Sequence, residues 1–122
     1  MKLMRSQNAR HIDFGAFSGL IPESPNSCPS DIDMAWERRG MFLIAEWKRP
    51  TEKLSMGQKI MLKAQARLNT HLILLIIGDT DNEMYIEEFG RIMPNGVYVK
   101  RGQSTKELKD YMKKWWYWAN TK

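Results

Sequence analysis

The stretch His71–Gly78, HLILLIIG, is an apolar run bounded by Asn69-Thr70 before it and closed by Gly78. It is far too short to cross a bilayer as a helix, which takes about 20 residues. Rich in isoleucine and leucine, it reads as a strand buried on both faces. A second strand of this kind precedes it: Met41–Lys48, MFLIAEWK, apolar on both faces and therefore central in a sheet. Between the two, Ser55 is a good N-cap for MGQKIMLKAQARL, where Met61, Ala64 and Leu68 recur at helical spacing. Strand, helix, strand requires a parallel pair joined by a right-handed crossover. The fold expected is α/β: a mixed central β-sheet flanked by helices.

The remaining segments fit around that unit. Before Pro29 the chain mixes aromatics with glycines and then runs through the proline-rich loop ESPNSCPS. DIDMAW reads as a strand beginning near Ser30, with ERRG as the turn into Met41. After the acidic loop DTDNE, MYIEEFG and VYVK are strands around a hairpin turn at Pro94-Asn95-Gly96. Ser104 or Thr105 caps a last helix, on which Leu108, Met112 and Trp115 share a face. The organisation expected is one domain over residues 1–122: an irregular segment 1–29, a motif-bearing core 30–78 and a C-terminal helix 104–120.

At 122 residues, 43% hydrophobic and 27% charged, the chain suits one globular domain with one core. A net charge of +5 and a pI near 9.4 are compatible with a polyanionic partner. The single cysteine, Cys28, allows no internal disulfide and fits a reducing cytoplasm. The opening MKLMRSQNARH has no apolar stretch behind its charges, so neither a signal peptide nor a membrane partner is expected. His11, His71 and Cys28 make no zinc pattern.

The chemistry concentrates at the end of the second strand, where Glu46 and Lys48 interrupt a buried run two positions apart. Residues i and i+2 of a strand share a face. Charges at such a place are costly unless paired, hydrated in a cleft or bound to metal. If DIDMAW and MFLIAEWK pair so that Trp36 faces Met41, then Asp33 faces Ile44 and Asp31 faces Glu46. Asp31, Asp33, Glu46 and Lys48 then crowd one face at one end of the sheet. Clustered carboxylates repel unless a cation lies between them, and oxygen donors suit Mg²⁺ or Mn²⁺. A lysine beside them can hold a water molecule and stabilise developing negative charge.

The pattern resembles the PD-(D/E)xK nuclease superfamily: "PSDID" (29 to 33) supplies the aspartate and "EWK" (46 to 48) the second half. "KRPTEKLSMGQ" (48 to 58) is similar to the virus-type replication-repair nucleases, VRR-NUC, which run from E-x-K-R-P through a basic loop into a helix carrying a glutamine. The aspartate-rich opening also resembles Holliday-junction resolvases of phages and bacteria. The resemblance covers Pro29 to about Gly78 and implies a restriction-endonuclease-like core. It implies Glu46 as a metal ligand, Lys48 as the catalytic lysine, Gln58 as the helical glutamine and the Trp47 carbonyl as part of the metal shell. Asp31 is favoured as the first ligand by the cross-strand geometry; Asp33, diagonal to Glu46, is also able to ligate. Many members carry a glutamate on a helix before the first strand. No such helix is legible here, and Glu23 lies in a proline-rich loop.

The resemblance implies Mg²⁺-dependent hydrolysis of DNA phosphodiester bonds in the cytoplasm of a bacterial or phage-infected cell, on branched DNA such as a Holliday junction. Nicking, restriction-type or exonucleolytic activity, or binding without cleavage, are its rivals. Lys53, Lys59, Lys63 and Arg67 on and before the middle helix are the expected phosphate contacts. Asp79 and Asp81 read as a polar turn. The tryptophan-rich end KKWWYW is expected to pack on the core and to build a homodimer through Trp116, Tyr117 and Trp118, with DNA stacking as the competing role.

Overall fold

The computed structural model describes residues 14–79 and 85–122. His11 and Asp81 therefore lie outside the described residues. The chain divides into two units, Met1–Asp31 and Ile32–Lys122. In the first, Phe14–Phe17 form a turn of 3-10 helix. The Cys28 thiol donates to the Phe14 carbonyl at 2.8 Å, and Phe17, Leu20 and Ile21 are exposed. Among the described residues this unit contains no α-helix.

The second unit is a five-stranded mixed sheet in the order β1-β2-β3-β4-β5. The strands are β1 (Met34–Arg38), β2 (Met41–Lys48), β3 (His71–Asp79), β4 (Tyr85–Ile92) and β5 (Tyr98–Gly102). Helix α1 (Met56–Ala66) joins β2 to β3, and α2 (Thr105–Ala119) follows β5. The two continuous apolar strands pair in parallel, Phe42 with His71 through Lys48 with Ile77, as the strand–helix–strand pattern demands. All other pairings are antiparallel.

Strand parity splits the core. On one face Leu43, Ala45, Leu74, Ile76 and Phe89 pack under Leu108, Trp115 and Ala119 of α2. On the other, Ile44, Ile73, Leu75 and Ile92 pack under Leu62 and Ala66 of α1. Fully burying such a side chain contributes about 1.5–3 kcal/mol. The expected α2 stripe holds for Leu108 and Trp115, with Met112 half-buried beside them.

Two expectations are corrected. The α1 stripe is Leu62 and Ala66, not Met61, Ala64 and Leu68; Leu68 is exposed. The reason is the contact described below that turns Gln58 toward the sheet and brings Leu62 and Ala66 into line beneath it.

The β1–β2 register is also displaced by two residues: Arg38, not Trp36, faces Met41, and Ala35 faces Ile44. The turn is shorter than ERRG, because Glu37 and Arg38 remain in the ladder. Arg39 and Gly40 both take positive φ, 53° and 81°. That is the conformation of a tight two-residue hairpin matched to strand twist. The first strand accordingly starts at Met34 rather than near Ser30.

Candidate active site

Glu46 is only 7% exposed and is the buried charged residue of the sheet among the described residues. It lies on the α1 face, in step with Ile44. Its neighbour on that face, Lys48, brings Nζ to 3.9 Å from Glu46 Oε1. The pair is therefore internal rather than a surface ion pair.

Helix α1 supplies the third member. The Ser55 hydroxyl accepts the Gln58 N–H at 3.1 Å, and Gln58 Oε1 accepts the Ser55 N–H at 3.0 Å, a reciprocal capping box. With its oxygen committed to the cap, the Gln58 amide points Nε2 at Glu46 Oε1, 3.2 Å away. One local motif thus starts the helix and orients a buried carboxylate.

The corrected register changes which aspartate meets the second strand. One step beyond the Met34–Ala45 pair, Asp33 comes level with Glu46. Its Oδ2 accepts the Trp47 N–H at 2.7 Å. Asp33 is exposed and belongs to the second unit, whereas Asp31 is the last residue of the N-terminal unit. Cross-strand geometry therefore sets Asp33, rather than the expected Asp31, opposite Glu46.

A cation-rich cleft of about 290 Å³ opens beside Lys48, lined by Lys48, Arg49, Lys53 and Lys59 with one acid, Glu52, over Leu75 and Ile77. A second cleft of about 340 Å³ adjoins it, sharing Leu54, Lys59 and Leu75 and adding Lys63, Asn95 and Tyr98. Of the expected phosphate contacts, Lys53, Lys59 and Lys63 line this track, and Arg67 lines neither cleft. Arg49 belongs to it and was readable in the sequence as the cation directly after Lys48.

The same face carries a polar pair that the sequence does not reveal. The Tyr98 phenol donates to Glu88 Oε2 at 2.7 Å. Its ring lies across Gly90, where any Cβ would collide with it. Burial first, then the hydrogen bond to Glu88 and the charge of Glu88, push the Tyr98 pKa well above its ordinary value. Glu88 is level with Ile77, itself level with Lys48, so it shares the face of the site at a distance of two strands, about 10 Å. Asp79 ends β3 on the same side and is half-buried.

No family model, curated protein or solved structure matches this chain. What the site can do is set by its own groups. Among the described residues no three histidine, cysteine or carboxylate side chains converge on one point. Two carboxylates, Glu46 and Asp33, stand level on neighbouring chain segments, with Asp33 held on the Trp47 N–H. Hard oxygen donors fit Mg²⁺, which is commonly held by one or two carboxylates with water and phosphate oxygens around it. Among the described residues no helix is long and apolar enough to cross a membrane.

At the far end of the chain, Trp116 is not free surface. It stacks on Trp36 and lies under Arg38, while Tyr117 and Trp118 stay exposed.

Proposed function

We propose that this protein is a Mg²⁺-dependent DNA endonuclease with a PD-(D/E)xK-type site on a restriction-endonuclease-like core. The observation that carries the reading is the Glu46–Lys48–Gln58 group: a buried carboxylate, held by a helical amide and paired with an ammonium that lines a cation-rich cleft. Glu46 and Asp33, with the Trp47 carbonyl, are the groups that would hold the ion; Asp31 remains the alternative aspartate. When bound, the ion supplies charge neutralisation at the phosphate and a more acidic water.

The chain's own residues account for the rest. Gln58 keeps Glu46 Oε1 oriented. Lys48 donates hydrogen bonds to the attacking water or to a phosphate oxygen and offsets the negative charge that builds there. Lys53, Lys59 and Lys63, with Arg49, track the strand. Water adds to phosphorus, the bond to the leaving sugar oxygen breaks, and the proton ends on that oxygen.

The test is cleavage of labelled four-way, flap, single-stranded and linear duplex DNA with Mg²⁺. The reading expects cleavage that Glu46→Gln and Lys48→Ala abolish, with branched DNA preferred. A second reading, DNA binding without cleavage, is favoured by Asp33, whose carboxylate oxygen is engaged on the Trp47 amide. Retained DNA affinity with no cleavage of any substrate selects it.

A further inference from the structure

The α2 side of the sheet carries a second cationic feature that shares no residue with the Glu46 site. Trp36 of β1 and Trp116 of α2 stack with ring centroids 4.8 Å apart and planes 25° from parallel. The Arg38 guanidinium lies 4.9 Å from the Trp116 ring centre and also donates from Nε to Asn120 Oδ1 at 2.8 Å. Beside this stack opens a cleft of about 540 Å³ lined by Trp36, Trp116, Tyr117, Lys106, Lys109 and Lys113.

Its chemistry is lopsided. Lys106, Lys109 and Lys113 stand at i, i+3 and i+7, a row about 10 Å long on one flank of α2. One acid, Asp110, is among the lining residues. Tyr117 is 64% and Trp36 38% exposed, so flat aromatic surface is available next to the row of ammonium groups.

We propose that this cleft binds single-stranded nucleic acid, with bases stacked on Tyr117 and on the open part of Trp36 and phosphates along Lys106, Lys109 and Lys113. Stacking platforms flanked by cations are the sequence-tolerant way to hold an unpaired strand. The Trp36–Trp116–Arg38 stack holds the platform rigid, which lowers the ordering cost of binding. A second copy of the chain fits less well. It would bring its own lysine row against the first, and like charges across an interface oppose association. An uncharged apolar partner would leave three ammonium groups without counter-charge.

The site lies on the sheet face opposite Glu46, because Trp36 pairs with Leu43 of the α2-side core. The inference therefore stands whether or not the chain cleaves DNA.

The test is fluorescence anisotropy of labelled oligothymidylate of about 12 nucleotides, a length within the usual site size, in EDTA so that no cleavage intervenes. Light scattering of the DNA-free protein runs alongside. The variant Lys109→Gln/Lys113→Gln/Tyr117→Ala touches only exposed side chains and is checked by circular dichroism. The expected result is binding by the wild type, weakened at least about tenfold in the triple variant. Blunt duplex of the same length competes less well than the single strand. Four outcomes overturn the proposal: no binding by the wild type, unchanged affinity in the triple variant, equal competition by duplex, or a dimer without oligonucleotide affinity that the triple variant dissociates. The last assigns the patch to a second copy. Cleavage by the wild type and its loss in Glu46→Gln are read separately, so failure of the nuclease reading is distinguishable from failure of this one.

Discussion

Gln58 Nε2 donates to Glu46 Oε1 at 3.2 Å, and this one hydrogen bond ties the first turn of α1 to the end of β2. Gln58 is at the same time half of the capping box. Gln58→Ala removes both, and a stability loss of about 1–3 kcal/mol is expected from the cap and the bond to a charged group. Gln58→Glu keeps the cap acceptor but sets a second carboxylate against Glu46. It is expected to destabilise chiefly at neutral pH and to recover toward acid pH, where one proton shared by the two carboxylates removes the repulsion. Urea titrations of both variants at two pH values separate helix capping from site geometry. Equal losses at both pH values for Gln58→Glu would show that the Glu46 contact carries no weight.

Glu46 and Lys48 respond differently to removal. Glu46→Gln deletes the more buried charge while keeping its shape and leaves the Lys48 ammonium to hydrate in the cleft it lines, so the fold is expected to survive with a smaller loss than in Lys48→Ala. Lys48→Ala takes the paired ammonium from the buried Glu46 carboxylate, and a loss of about 2 kcal/mol or more is expected. Both are expected to reduce DNA cleavage by at least about a hundredfold, the usual scale for losing a group that acts on the developing charge. Near wild-type cleavage in either variant at saturating Mg²⁺ removes the pair from the active site.

Asp33 and Asp31 are separated by the β1–β2 register. Asp33→Asn still offers an oxygen to the Trp47 N–H but loses the negative charge, so Mn²⁺ affinity is expected to fall at least about tenfold with little change in stability. Asp31→Asn is expected to bind Mn²⁺ more nearly as the wild type does. Calorimetric titration of both decides the point, and loss of binding confined to the Asp31 variant reverses the assignment.

The sequence shows the parallel pair clearly, because Met41–Ala45 and Leu72–Ile77 are apolar on both faces and a capped helix separates them. It also contains the Ser55–Gln58 cap and the Glu46–Lys48 spacing. It could not set the β1–β2 register: a slip of two residues leaves every side chain on its own face, so the hydrophobic pattern is blind to it. The deciding feature is the left-handed backbone of Arg39, a residue type that gives no signal for it. The phase of α1 is hidden for a related reason. Apolar residues surround the helix, with Ile60 62% exposed and Leu62 buried, and the choice between faces is made by the tertiary Gln58–Glu46 contact. Glu88 and Tyr98 meet only because a register shift at Phe89/Gly90 and the missing Cβ of Gly90 let the ring lie across β4.

Tyr98 gives a prediction in the alkaline range. Its pKa is raised in the folded protein above the value of about 10 in an unfolded chain. The neutral phenol is thus favoured by folding. Its contribution is fully present below about pH 10 and is lost as pH rises from there through the folded-state pKa, because the unfolded chain releases the proton first. Stability is therefore expected to fall above pH 10 with a steeper slope in the wild type than in Tyr98→Phe. At neutral pH the variant is expected to lose about 1–2 kcal/mol, since the Glu88 carboxylate loses its donor. Phenolate absorbance followed against pH checks the assignment: of the four tyrosines, one is expected to ionise only as the fold opens, and that component disappears in Tyr98→Phe. A wild-type titration in which every phenol ionises together near pH 10 in the folded state would show that the Tyr98–Glu88 bond is not held in solution.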